Sequence, residues 1–211
     1  LDSVADEISF VEAEYKPTIK VVQKDIEQCN LCMGLPTFGI DDSRYYPMQV
    51  LNNILGGTMS SRLFRNIREE QGLAYSIFSM FASYKGLGYF KIYAGLNRNK
   101  VEEAIKGIQN EISHLAKNGI EDDELEASRE QLKAGFVFSQ ESTASRMLTN
   151  GRMAILLDRV VPIDEIISAY DSITKSEVEN LISNISDFTK YSAVAVTGKE
   201  RLDLRRMMVS K

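Results

Sequence analysis

Two side chains, Arg68 and Tyr75, have the chemistry needed to hold a peptide, and they lie seven residues apart. An arginine presents several N–H donors in a fixed fork, which suits backbone carbonyl oxygens. A phenol donates one short hydrogen bond and stabilises negative charge that develops on an oxygen. Both residues also have ordinary explanations, because a late helical arginine complements the helix dipole and a strand tyrosine is often half-buried packing. The residues alone leave both interpretations open.

A glycine break and a short helix precede this pair. The pattern predicts that one helix ends with Gly56-Gly57 at its C-cap and that Ser60 or Ser61 caps the next. Gly72 is expected to end the second helix. We expect the tight passage over residues 71–74 to bring the helix end and the following strand to one edge of a sheet.

The rest of the chain alternates between strand and helix patterns. Aromatic and small residues on both sides of Lys85-Gly86-Leu87-Gly88 predict a β-hairpin. The apolar residues of 101–115 recur on one face of a helix, for which Asn99 is the expected N-cap. Other expected elements are a strand near 20–35, helices at 121–136, 147–157 and 174–185, and a last strand at 191–196. These elements predict an α+β fold, a layered α/β sandwich whose mixed or mostly antiparallel sheet carries packed helices, as a single domain over 1–211.

The residues do not favour a metal or nucleotide site in this chain. Zinc hydrolysis needs about three protein ligands, whereas His114 is the only histidine and is expected at the surface. The acidic run at 121–126 is expected to cap a helix rather than bind a cation. Gly56-Gly57 lacks the G-K-[ST] of a phosphate loop, and no G-x-S-x-G is present. We therefore expect no metal ligand in this chain.

Cys29 and Cys32 form a C-x-x-C that could be a redox pair or half of a zinc site. The surrounding residues predict a strand, in which residues three apart point to opposite faces. The two thiols are then unable to share a metal or easily form a disulfide, so we interpret them as core or strand packing in a reducing compartment.

Composition limits the classes of partner. The formal net charge of −5 argues against binding nucleic acid, because phosphate binding needs a basic face. No apolar run approaches the roughly 20 residues that span a membrane, and the first residues do not form a signal peptide. The chain does not begin with methionine, so we interpret it as a fragment of a longer protein and expect a cytoplasmic location.

The run from Leu51 to Ser76 is similar to a known family pattern. It resembles the G-G-x-x-S-S-R-L-F…R-E…G-L-A-Y-S motif in the second half of the insulinase, pitrilysin and mitochondrial processing peptidase family of zinc metallopeptidases. The order of elements is similar from Lys20 to Val196. Some relatives carry a third glycine where this chain has Thr58, which predicts a stiffer glycine break in this chain.

The resemblance implies the C-terminal half of a clamshell enzyme. In that family an N-terminal half binds zinc through an inverted H-x-x-E-H motif, and the two halves close around an extended peptide. The resemblance implies that Tyr75 hydrogen-bonds the scissile carbonyl and its oxyanion, and that Arg68 holds a neighbouring substrate carbonyl. The peptide would pair with the exposed sheet edge of the zinc half. The zinc half could belong to the same chain or to another subunit, and a homodimer is possible.

Two alternatives remain open from the sequence. The chain could be a catalytically silent scaffold or assembly subunit of the same fold, which the state of the upstream zinc motif would decide. It could also be a free-standing module for extended peptides, which predicts that the chain alone binds peptide. In the peptidase interpretation this chain alone is inactive, because the zinc lies elsewhere.

Overall fold

The computed structural model describes residues 14–198 and 202–209, which contain one five-stranded mixed sheet. The strands lie in the order β1-β5-β2-β4-β3, in which β1 and β5 are parallel and the other neighbours are antiparallel. Their bounds are β1 (Ile19–Gln23), β2 (Gln28–Thr37), β3 (Ala74–Ser83), β4 (Gly88–Asn97) and β5 (Ser192–Thr197). The predicted α+β architecture and the hairpin of β3 and β4 are confirmed.

Helices account for most of the remaining described residues. The α-helices are α1 (Tyr45–Asn52), α2 (Val101–Asn118), α3 (Asp122–Ser139), α4 (Thr143–Leu157), α5 (Ile163–Asp171), α6 (Lys175–Asn180), α7 (Ile182–Ser186) and α8 (Leu204–Val209). Two π-helical segments, Asn53–Gly57 and Phe64–Glu70, follow α1, and short 3₁₀ turns occupy Arg98–Lys100 and Phe188–Lys190. The residues of α2 predicted to form its apolar face are all buried: Val101, Ala104, Ile105, Ile108, Ile112 and Leu115.

The helices pack on one face of the sheet. Alternate residues of β2 point into this core, where Cys29, Leu31 and Met33 are at most 1% exposed. The intervening residues, such as Asn30 and Cys32, remain only partly buried. This alternation is typical of a sheet with one face on the core and the other more open to solvent.

Several local predictions are wrong in detail. The single strand expected near 20–35 is two strands, β1 and β2, separated by residues 24–27, three of which are charged, and β5 lies between them in the sheet. Asn99 is not the cap of α2, because Lys100 occupies that position, while the Asn97 side chain accepts a hydrogen bond from the Asn99 amide. Helices α5 and α8 were not predicted.

The glycine break also differs from the expectation. The helical turns continue through Gly57, and Gly56 is required by packing rather than by a C-cap conformation. A Cβ at Gly56 would lie 2.6 Å from both the backbone nitrogen and Oγ of Ser79 on β3. Ser61 lies directly before the first helical residue, as predicted for a cap, but its Oγ donates to the Thr58 carbonyl at 2.6 Å and accepts no hydrogen bond from a described helix amide. By contrast, Gly72 ends its segment as predicted, with a φ of 58°.

Replacing Gly56 by alanine is expected to destabilise the protein by about 2 kcal/mol, because the new methyl group must displace the backbone of β3. Gly135→Ala in α3 is the matched control, since a Cβ there meets no atom within 4 Å. That control should be neutral or stabilise by about 0.5–1 kcal/mol through helix propensity. Urea denaturation measures both, and equal stabilities for the two variants would contradict the packing of Gly56 on β3.

Candidate functional site

Tyr75 lies at a β-bulge on the edge strand of the described sheet. Ala74 pairs with Leu96 and Ser76 pairs with the adjacent Gly95, so Tyr75 is the extra residue without a partner on β4. Its side chain is 57% exposed, and its phenol makes no hydrogen bond within the described residues. Because a bulge redirects a side chain relative to regular pleating, this geometry presents a hydroxyl donor at the sheet edge.

Arg68 lies on the π-helical segment Phe64–Glu70, which ends just before β3. Its side chain is exposed, and its guanidinium carbon lies 4.6 Å from the centre of the Phe64 ring. A cation–π contact orients the guanidinium plane without consuming the N–H donors at its rim. Sequence reasoning did not identify the supporting role of Phe64, although its position four residues before Arg68 on one helical face is a usable signal.

A tight turn joins Arg68 and Tyr75. The Leu73 amide donates to the Ile67 carbonyl at 2.9 Å, and Gly72 supplies the left-handed backbone conformation that the turn needs. The predicted passage from the helix end to an edge strand is therefore present. Among the described residues, no hydrogen bond or cation–π contact joins the two side chains, so the turn sets their relative position.

A partly buried ion pair fixes the start of the segment that carries Arg68. Arg62 is 7% exposed, and its Nε and Nη2 donate to the two carboxylate oxygens of Glu124 at 2.8 and 2.6 Å. Its Nη2 also donates to the Gly119 carbonyl at 3.2 Å. Asn66 donates to Glu111 on α2 at 2.6 Å. These contacts tie the segment to α2 and to the start of α3.

The protonation equilibria of this pair favour its charged form. Burial acts to raise the pKa of the Glu124 carboxyl, but hydrogen bonds from Arg62 and from the Glu121 amide outweigh it and hold that pKa below its ordinary value. The hydrogen bond to Glu124 raises the pKa of the Arg62 guanidinium. The pair therefore stays ionised at neutral pH, and the same Glu124 carboxylate completes the capping box of α3 with Glu121.

The side of the sheet opposite the helices, here called the open face, presents mainly apolar and aromatic side chains. Strand registers place side chains in rows that run across the sheet, and the Phe78 and Tyr93 ring centres lie 5.1 Å apart in one of them. One row crosses all five strands and contains Phe78, Tyr93, Cys32, Val194 and Lys20. This surface was not identified from the sequence, although the alternation of residues in β2 and β4 indicates that one face of the sheet is more open than the other.

The structure shows where the histidine and the two cysteines lie. His114 is exposed on α2. Cys29 is buried toward the helices and Cys32 lies on the open face, so the prediction that they point to opposite sides is confirmed. Within residues 14–198 and 202–209, no group of three or more histidine, cysteine, aspartate or glutamate side chains is arranged to hold a metal ion. The described residues therefore do not fit a zinc site.

The helices that the structure describes include none long and apolar enough to cross a membrane.

Comparison with known protein families and sequences gives consistent matches. Residues 7–132 match the family model described as "Peptidase M16 inactive domain". The chain is 39% identical over 174 residues to "Uncharacterized zinc protease YmxG" of Bacillus subtilis, covering 82% of this chain and 42% of that protein. It is 31% identical over 167 residues to "Uncharacterized zinc protease SCO5738" of Streptomyces coelicolor, covering 79% and 36% respectively. The chain thus spans less than half the length of these two relatives.

Solved structures share the fold at low sequence identity. A peptidase M16 inactive domain from Pseudomonas fluorescens superimposes with a TM-score of 0.76 at 22% identity, covering 90% of this chain and 46% of that one. A chain of Complex III2 from Candida albicans gives a TM-score of 0.83 at 16% identity, covering 98% and 51%. Both matches cover most of this chain, and they support the layered α+β architecture described above.

Proposed function

The chain belongs to the M16 peptidase family, matching its inactive domain, and on that premise we propose that it is the substrate-binding C-terminal half of a zinc-dependent metalloendopeptidase. The substrates would be peptides or small unfolded proteins. The observation that carries the proposal is Tyr75, an unpaired phenol at a bulge on the sheet edge, close in the chain to Arg68. The whole of 1–211 would act as one domain in this half.

Tyr75 stabilises the transition state in this proposal. The zinc of the other half would supply an activated water for attack on the scissile carbonyl. Negative charge then develops on the carbonyl oxygen, and the Tyr75 hydroxyl donates a hydrogen bond to that oxygen. Because the exposed phenol has no hydrogen-bond partner of its own among the described residues, donating to the substrate breaks no existing bond in this chain.

In this proposal Arg68 binds a neighbouring carbonyl of the substrate, not the carbonyl of the scissile peptide bond. Since this contact exists in both the bound substrate and the transition state, Arg68→Ala is expected to raise KM about tenfold with a smaller change in kcat. Steady-state kinetics of the complete protein measure this effect. Arg65→Ala is the control, because Arg65 is an exposed arginine on the same segment and should leave KM unchanged. A large fall in kcat for Arg68→Ala would contradict a pure binding role.

The other half is proposed to pack against helix α4. This helix exposes a set of large apolar side chains, with Met147, Leu148 and Ile155 being 67%, 68% and 75% exposed. Positions 148 and 155 lie two helical turns apart on one face. Monomeric surfaces rarely leave such patches uncovered, and the patch therefore suits a domain interface.

The double variant Leu148→Asp/Ile155→Asp is expected to loosen the two halves of the complete protein. Placing two carboxylates in an apolar interface leaves them desolvated without partners. Limited proteolysis between the halves should become at least about fivefold faster. Met59→Asp serves as the control, because Met59 is an equally exposed apolar side chain outside α4. Identical proteolysis of both variants would place the interface elsewhere.

The proposed function is tested with the complete protein that contains this chain. It should contain zinc, cleave an unfolded polypeptide, lose activity on chelation and regain activity when zinc is restored. The present chain alone should not cleave. A folded complete protein that holds no zinc and cleaves nothing would contradict the proposal and favour the scaffold or assembly subunit.

A further inference from the structure

The charged residues of the sheet are distributed unevenly. The whole chain has 30 acidic and 25 basic residues, yet the five described strands contain no aspartate or glutamate. Their charged residues are Lys20 and Lys91. Lys20 pairs with Val194 and Lys91 pairs with Gly34, so both belong to the open face. The charged side chains that the described strands place on this face are therefore both cationic, in a protein of net negative charge.

A groove of about 380 Å³ crosses the open face beside Lys91. Gly34 forms part of it and adds no side chain to fill it. The Tyr15 hydroxyl donates to the Lys190 carbonyl at 2.8 Å and lies 2.9 Å from Ser192 Oγ, which fixes one wall. The remaining lining is largely apolar and includes Leu35, Pro36, Leu87, Tyr89 and Val194.

The lysines of this face have no carboxylate partner in an ion pair among the described residues. Lys91 Nζ lies 5.7 Å from the centre of the Tyr89 ring, where the ring attracts the cation without neutralising it. Glu14, next to Tyr15 in the chain, is paired with Lys16 at 3.1 Å. An incoming carboxylate would therefore meet a positive charge beside apolar walls, whereas an incoming lysine would be repelled.

We propose that this groove receives an acidic, apolar segment of an extended peptide, a refinement that rests on the substrate-binding role proposed above. An apolar side chain would occupy the groove between Tyr15 and Tyr89, while a carboxylate two residues away would pair with Lys91. In an extended strand, residues two apart point to the same side, so both groups reach the face together. Lys20 supplies a second positive charge along the same face. The groove thus selects substrates by charge.

Peptide binding to the zinc-free complete protein tests this selection without cleavage. The probes are acetylated and amidated peptides in which Ala-Phe-Ala-Glu is repeated, with counterparts that carry Lys or Gln in place of Glu. In calorimetry at low ionic strength, the Glu peptide should bind about tenfold more tightly than the Lys peptide, with the Gln peptide between them. Added salt should reduce this ratio.

Lysine variants test whether Lys91 causes the preference for the Glu peptide. Lys91→Gln should weaken binding of the Glu peptide about threefold to tenfold and leave the Gln peptide unaffected. Lys117→Gln is the matched control, since Lys117 is an exposed lysine on the helical side of the domain. Equal binding of the Glu and Lys peptides, or equal effects of Lys91→Gln and Lys117→Gln, would overturn the proposal.

Cys32 provides a second measurement on the same face. It is partly exposed on the open face, while burial raises the pKa of the Cys29 thiol on the opposite side. In a Cys29→Ala background, the Glu peptide should slow maleimide modification of Cys32, and the Lys peptide should not. Unchanged modification with bound Glu peptide would place binding elsewhere. If the protein selects peptides by charge but shows no zinc-dependent cleavage, only the proposed peptidase function is refuted. If it cleaves peptides without selecting them by charge, only the present inference is refuted.

Discussion

Tyr75→Phe in the complete protein is expected to lower kcat by about 10²–10³-fold, because loss of one preorganised oxyanion donor typically has this effect. KM should change little, since the hydrogen bond strengthens only as charge develops on the carbonyl oxygen. The substitution removes one oxygen from a side chain that is 57% exposed, so folding should not suffer. Steady-state kinetics at matched zinc content measure the effect.

A second tyrosine provides the control for this experiment. Tyr84 follows the far end of β3 and is also exposed, so Tyr84→Phe makes the same chemical change away from the bulge. Its kcat should remain within about twofold of the original protein. If the kcat of Tyr75→Phe is equally close to that of the original protein, Tyr75 does not stabilise the transition state.

Arg62→Met is expected to destabilise the protein by about 2 kcal/mol, since it leaves the partly buried Glu124 carboxylate and the Gly119 carbonyl without their charged donor. Arg62 makes the two hydrogen bonds to Glu124 and one to the Gly119 carbonyl described above, and it also lies 3.8 Å from Glu111. Urea denaturation measures the loss. Arg65→Met should cost less than about 0.5 kcal/mol, because Arg65 is exposed.

The same pair predicts a pH dependence of stability. Because the folded-state pKa of Glu124 is lowered, its contribution is present above the ordinary value of 4.5 and is lost as the pH falls through the folded-state pKa. The difference in unfolding free energy between the original protein and Arg62→Met should therefore shrink on acidification below about pH 4.5. A difference that stays constant from pH 7 to pH 3 would show that packing, rather than charge, dominates.

Elements with strong local signals were predicted well. The hairpin follows from its glycine loop, α2 from its apolar face, and α6 from the capping box of Thr174 and Glu177, which is present. The division of the strand expected at 20–35 into β1 and β2 was missed because it depends on which strands pair in the sheet, and that pairing joins residues far apart in sequence. The parallel pairing of β1 with β5 joins residues more than 170 positions apart.

The site was only partly accessible from the sequence. The chemistry of Arg68 and Tyr75 was visible, but their roles came from the family resemblance, and those roles remain predictions. The bulge at Tyr75 depends on the register between β3 and β4, which residue types do not specify. The groove beside Lys91 depends on which face of β4 the helices cover, although the alternating pattern of that strand would have placed Lys91 opposite the core.

A crystal structure of the complete, zinc-loaded protein with a phosphinic peptide that mimics the tetrahedral intermediate tests the proposed role of this chain most directly. The predicted result is a zinc site in the other half, with Tyr75 Oη within about 3.2 Å of a phosphinate oxygen and Arg68 at a nearby peptide carbonyl. A bound peptide whose phosphinate lies beyond hydrogen-bonding reach of Tyr75, or another half without zinc ligands, would contradict it.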